Sequence, residues 1–190
     1  MQLFPPISLP ISQPLMRAVL YRAFSTTTHF QTMAQRSANA LKVECQCGAV
    51  SFKTPAPNPI AVFHCHCSHC RRQSSSAFGT SAIFPADGLF PLSQELRSKL
   101  GIWTRPAKEG RTMDCYFCKA CGVRTMHRIR EADGKERPTV SIRGGIVEGL
   151  DWSVGEHIYV EDAVVPLPEK AIKHRRSPSP EKMALPSSKE

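Results

Sequence analysis

Not one aspartate or glutamate precedes Glu44 in this chain of 190 residues. Long apolar runs are missing too: Pro, Arg or Ser interrupts each before it reaches the ~20 residues that a membrane-spanning helix needs. No secretory signal peptide is present, which argues against an oxidising compartment and a disulfide framework. No amphipathic pattern is long enough for an extended helix, and no repeat recurs at a solenoid period, so the class is mainly β.

The acid-free start mixes Arg17, Arg22 and Arg36 with Ser, Thr and apolar residues, the composition of a mitochondrial transit peptide. Arg22-Ala23-Phe24 followed by Ser25-Thr26-Thr27-Thr28 has the form of a presequence cleavage site. Pro5, Pro6, Pro10 and Pro14 confine any basic amphipathic turn to Leu15 through Phe24. Residues 1–40 are therefore expected to be a disordered leader directing the protein to mitochondria. Met33 offers a second start, whose product would be cytoplasmic or dual-located. At the other end, residues 169–190 are rich in Lys, Ser, Pro and Glu and have little to bury, which predicts a disordered polar tail. Its Lys173-His174-Arg175-Arg176-Ser177-Pro178-Ser179-Pro180 run reads as solvated, with a phosphorylation site or a weak nuclear signal as the alternatives.

The formal charge of +9 suggests an anionic partner until it is divided by region. Leader and tail contribute +3 each, and residues 41–167 hold sixteen Lys/Arg against thirteen Asp/Glu. Seven thiolates around two divalent ions would cancel the remaining +3, so net charge gives no argument for nucleic acid.

Between residues 41 and 168, short alternating runs are separated by Gly, Pro and Asp. Leu41 to Cys45, Ala49 to Lys53, Ile60 to His64, Ala77 to Phe84 and Lys99 to Thr104 read as strands. So do Thr112 to Phe117, Val123 to Ile129, Thr139 to Arg143 and His157 to Val160. Short helical turns are expected after Cys70 and around Ser93 to Leu100.

The eight cysteines fall in tight clusters, which suits several thiolates converging on one ion at ~2.3 Å better than a crosslink. Cys118-Lys119-Ala120-Cys121-Gly122 has the shape of a zinc knuckle, with Gly122 free to take the positive φ that closes the turn. It needs a second pair, and Cys45-Gln46-Cys47-Gly48 offers one, because positions i and i+2 of an extended strand point the same way. The four together make a structural zinc site. Cys65-His66-Cys67-Ser68-His69-Cys70 differs, since three cysteines on one short loop leave the fourth position of a zinc open, as in catalytic sites. His64, His66, His69 or Cys115 could instead close that site. His66 and His69 alternate with the cysteines and are expected to point outward. Cys115, on the strand leading into the knuckle, reads as a small buried hydrophobe.

Cys-x-Cys-Gly, His-Cys-x-Cys-x-x-Cys-Arg-Arg, Ser-Ala-Phe, the late Phe-Cys-x-x-Cys-Gly and Gly145-Ile146-Val147-Glu148 stand in this order. Together they resemble the family of glutathione-dependent formaldehyde-activating enzymes, which shares its domain with centromere protein V. The resemblance covers residues 41–168, about two thirds of the chain. It implies an Mss4-like fold of coiled β-sheets around a structural zinc held by Cys45, Cys47, Cys118 and Cys121. It also implies a reactive zinc held by Cys65, Cys67 and Cys70, with no other side chain assigned a catalytic role.

The implied activity is that of a carbon–sulfur lyase, which interconverts formaldehyde plus glutathione with S-hydroxymethylglutathione or handles a related thiol–aldehyde adduct. Glutathione would be the co-substrate, and Arg71, directly after the cluster, would clamp one of its carboxylates. A non-catalytic interaction module like centromere protein V is the alternative, and a purely structural zinc protein like the Mss4 exchange chaperone ranks last. Members often carry Gly after Cys-Arg-Arg, where this chain reads Gln73-Ser74-Ser75-Ser76. They often carry Trp near the domain's end, where it reads Ala163-Val164-Val165-Pro166.

Overall fold

A computed structural model describes residues 39–178. The leader up to residue 38, with its cleavage-like segment and Met33, lies outside the described residues, as does everything after Pro178.

The alternating runs become strands. β1 (Lys42–Glu44) and β2 (Ser51–Lys53) pair as a small antiparallel ribbon. The other eight are β3 (Ala61–Cys65), β4 (Gly79–Pro85), β5 (Leu100–Pro106), β6 (Thr112–Cys118), β7 (Arg124–Arg130), β8 (Thr139–Arg143), β9 (Glu156–Ile158) and β10 (Lys173–His174). They form one sheet in the order β10-β9-β3-β4-β8-β7-β6-β5. Pairing is antiparallel except where β9 lies parallel to β3 and β10. Among the described residues there are two short α-helices, α1 (Ser68–Ser74) and α2 (Gln94–Lys99), and two 3-10 turns, Gly144–Ile146 and Val160–Asp162. The Ser93 hydroxyl caps α2 by accepting from the Leu96 N–H at 3.2 Å.

Side chains alternate across a strand, so the large sheet has two unlike faces. One carries Val62, Ala82, Phe84, Tyr116, Met126, Val140 and Ile142 into the main core. There Val43 and Val50 from the ribbon, Leu96 and Leu100 beside α2, and Val147 and Leu150 close over them. Phe84, Met126 and Ile142 are wholly buried, each contributing roughly 1.5–3 kcal/mol of transfer free energy. The other face has a smaller cluster of Phe63, Cys65, Ile83 and Ile158, with Cys67, Cys70 and Tyr159 packed against it. β4 is buried along nearly its whole length because it lies between these two clusters.

Composition had marked residues 169–190 as unstructured, but the structure differs at the start of that tail. Lys173–His174 adds to the open edge of β9, with the His157 N–H donating to the Ile172 carbonyl at 2.8 Å. His174 Nε2 lies 2.6 Å from Glu156, and Arg175 pairs with Glu161. A free strand edge offers backbone partners to any extended segment, which a reading based on side-chain hydrophobicity does not count.

Candidate metal centres

Cys45, Cys47, Cys118 and Cys121 come together with all four sulfurs within 4.8 Å of one another. The expected pairing is present, but not by strand alternation. Cys45 to Gly48 is a turn beyond β1, not an extended strand. The Gly48 N–H donates to the Cys45 carbonyl at 2.9 Å, and Cys45 N–H to the Val50 carbonyl at 3.0 Å. The second turn repeats the design: Gly122 N–H donates to Cys118 at 2.9 Å, and Cys118 N–H to Val123 at 2.9 Å. Gly48 and Gly122 both have φ of 74°, a left-handed backbone that any Cβ would strain. The ribbon is too short to carry the alternation through Cys47, so a hydrogen-bonded turn turns the sulfurs inward instead.

Cys65 ends β3, Cys67 precedes α1 as its N-cap and Cys70 lies within it, so a strand–helix junction gathers the second set. Their sulfurs also lie within 4.8 Å of one another, and no histidine joins the group. The sulfur spacings fit a metal. A tetrahedral ion with ligands at ~2.3 Å implies sulfur–sulfur edges of ~3.8 Å. Observed separations are 3.6 Å for Cys45–Cys47, 3.8 Å for Cys47–Cys118 and 3.5 Å for Cys65–Cys67. A disulfide would need ~2.05 Å, and all eight cysteines are free.

Thiols packed this closely cannot all ionise unaided. Cys67 drops to about 2 because Cys65 and Cys70 donate to its sulfur, while Cys65 is pushed far up by Cys67, by Cys70 and by burial. In the other set, Cys121 falls to about 6, chiefly through the Val123 N–H. A bound cation would relieve the mutual repulsion, which is what these donor sets suit.

His66 overturns the outward orientation expected of it: it is 0% exposed. Strand alternation persists one residue past β3, and the His66 N–H extends the ladder by donating to Ile158 at 3.0 Å. His64 and His66 therefore share a side, away from the sulfurs. His66 Nε2 lies 2.9 Å from His157 Nδ1 with the rings stacked, and Phe78 packs beside both. His64 meets the Thr80 hydroxyl at 2.9 Å and stacks on Trp152. Burial holds His64, His66 and His157 below the usual histidine range, so all three are neutral at pH 7. Nothing in the local sequence around His157 singles it out; the signal that finds it is its register opposite His64. His69 is exposed, and Cys115 is buried at 1% exposure outside both sulfur groups.

Arg71 lies on α1, where it lines an open depression with Ser68, Arg72, Ser75, Ser76 and Val164. Its Nε is buried without a hydrogen-bond partner. Arg143 went unnoticed in the sequence, yet it is the buried arginine beside the three sulfurs. Its Nη1 donates to Ser81 Oγ at 2.7 Å, and Nη2 lies over Gly79 next to Cys70. Nothing in the local pattern of β8 distinguishes it, because only the β4–β8 register brings it to the cluster.

Fold and sulfurs together define a mainly β, Mss4-like protein equipped to hold metal in two places. Its family is shown by sequence: the profile of the glutathione-dependent formaldehyde-activating enzymes matches residues 40–162, and the chain belongs to that family. No curated protein matches it.

Proposed function

We propose that this protein is a zinc-dependent carbon–sulfur lyase that joins an aldehyde, formaldehyde in the simplest case, to a thiol such as glutathione. Cys45, Cys47, Cys118 and Cys121 would hold a structural zinc, and Cys65, Cys67 and Cys70 a reactive one. The observation that carries this reading is the contrast between a complete four-sulfur set and a three-sulfur set in one family member. Held by Cys65, Cys67 and Cys70, a zinc ion would supply a Lewis acid that favours the thiolate of an incoming thiol.

The chain's own residues do the rest. The buried Arg143 guanidinium sits beside Cys70 and would offset the excess negative charge of three thiolates around a divalent ion. Phe63, Ile83 and Ile158 wall the cluster and limit water. Arg71, which lines the open depression beside α1, would offer its guanidinium to one carboxylate of glutathione. In the addition, the thiol sulfur bonds to the aldehyde carbon, the carbonyl π pair moves to oxygen, and the thiol proton ends there. Holding both reactants at one place supplies much of the acceleration.

The test compares zinc content and S-hydroxymethylglutathione formation for the full chain and for Cys67→Ser. Two zinc ions and catalysis in the parent, with one ion and no catalysis in the variant, are expected. A parent no faster than zinc-free buffer would end the lyase reading, and a variant retaining both ions would end the ligand assignment.

A further inference from the structure

The sheet face that bears the three sulfurs continues toward β5, and its charge is one-sided. Residues opposite one another in antiparallel strands share a face. The registers Trp103↔Cys115, Cys115↔His127, His127↔Ser141 and Ser141↔Ile83 therefore make one row across five strands. Flanking rows add Arg105 with Met113 and Arg143 with Ser81. Arg124 pairs with Phe117 and holds its guanidinium 5.5 Å over the half-exposed Trp103 ring. From β3 to β8 the strands contain a single acid, Asp114, and it serves the opposite face by accepting from Thr104 and Arg130. Among the described residues, Arg105, Arg124 and Arg143 have no ion-pair partner.

His127 lies at the centre of this face, within electrostatic reach of Arg143, Arg105, Arg124 and the Cys67 sulfur. Its Nδ1 is sealed from water and has no hydrogen-bond partner. Arg143 is spent on the sulfurs, so Arg105 and Arg124 are left as guanidiniums without a carboxylate, a local excess of positive charge that an anion would balance. The acid-free leader, with three arginines, has the wrong sign to cover them. From β4, beside the sulfur cluster, to β7 is two strand spacings, ~10 Å. That is within the ~10 Å reach of an extended tripeptide.

We propose that this acid-free face is a carboxylate subsite, with Arg124 stacked on Trp103 as its outer contact. It would take the second carboxylate of a peptide thiol whose sulfur lies at Cys65, Cys67 and Cys70. The enzyme thereby selects dicarboxylate thiols over neutral ones. The placement of the sulfur rests on the reading under Proposed function; the anionic subsite does not.

The test uses the zinc-loaded full chain and Arg124→Gln, with zinc content verified in both. S-methylglutathione, whose sulfur is blocked, reports on carboxylate binding by calorimetry. Formaldehyde addition to glutathione and to 2-mercaptoethanol reports on thiol preference. Arg124→Gln should weaken S-methylglutathione binding about tenfold, the size of one charge-assisted hydrogen bond. It should cut the preference for glutathione over 2-mercaptoethanol by about the same factor, through KM, with Arg124→Lys recovering part of it. Equal S-methylglutathione affinity in parent and Arg124→Gln would overturn the subsite. Arg124-dependent binding in a parent that adds no thiol to formaldehyde would uphold the subsite and refute the lyase.

Discussion

The two cysteine clusters have similar sulfur spacing but opposite relations to the chain. Cys47 and Cys118, 71 residues apart, meet at 3.8 Å, so the four-sulfur set ties the ribbon to the end of β6. The three-sulfur set spans only Cys65 to Cys70 and ties together nothing that β3 and α1 do not already join. A link between distant segments removes far more unfolded-state entropy than a local one. The distant cluster should therefore govern folding, and the local one is free to govern chemistry. Replacing one sulfur in each tests this most severely. Cys118→Ser should cost on the order of several kcal/mol, lowering the melting temperature by roughly 10 °C or more, since the binding of a metal that only the folded chain can hold is folding free energy. Cys67→Ser should lose one metal equivalent yet keep most of the melting temperature. Equal shifts in thermal denaturation would erase the distinction.

A smaller perturbation approaches the local cluster from the histidine side. Gly155 passes so close to His64 that a Cβ there would run into the imidazole. His64 is also held by Thr80 and stacked on Trp152, so it has little room to retreat. Gly155→Ala should cost about 1–3 kcal/mol, as overpacking does. It should lower turnover while leaving metal at the four-sulfur set unchanged. Metal analysis alongside chemical denaturation would show a contradiction as metal lost from both sites.

Acid should separate the two regions in a different way. His127 faces the three-sulfur side and is held at about 3, first by burial and then by Arg143, Arg105 and Arg124, with Cys67 opposing. As a residue it is only partly covered, but its Nδ1 is closed to water. The unfolded chain protonates this group near ~6.5. Between that value and about 3 the unfolded state binds more protons, so stability falls as pH falls. At pH 5.5 the loss should be about 1.4 kcal/mol relative to pH 7.5. His127→Gln should remove that part of the slope while metal content stays constant in both. An unchanged slope would mean that the folded protein already protonates His127.

The strands were legible because their period-two patterning is local, and the seven sulfurs because metal ligands come at short spacings. What escaped was set by register. Arg143 reaches Cys70 only through the pairing of β8 with β4, and His157 meets His66 only because β9 lies parallel to β3. His66 was misread because alternation was assigned to the loop rather than carried on from the strand. The Cys45–Cys47 pair was found for the wrong reason, since a turn does what strand alternation was expected to do.

The two clusters also differ in how their backbones close. The four-sulfur turns end on Gly48 and Gly122, both left-handed at φ 74°. The helix carrying Cys70 ends instead on Ser75, left-handed at φ 49°, with its N–H donating to the Arg71 carbonyl. A Cβ in that region costs roughly 1–2 kcal/mol. Ser74 steadies this end, its single O–H lying within donating distance of the Cys70 carbonyl at 2.8 Å and the Phe78 carbonyl at 3.0 Å. Ser75→Gly relieves the strain but gives the unfolded chain more freedom, which takes back part of the gain. The net should be a stabilisation of about 0.5–1 kcal/mol by denaturant titration, with Ser74 and the sulfurs untouched. Gly122→Ala should show the opposite sign with a similar size. If Ser75→Gly destabilises instead, the serine is fixed there by a contact rather than tolerated, and the local cluster is more tightly held than its single loop implies.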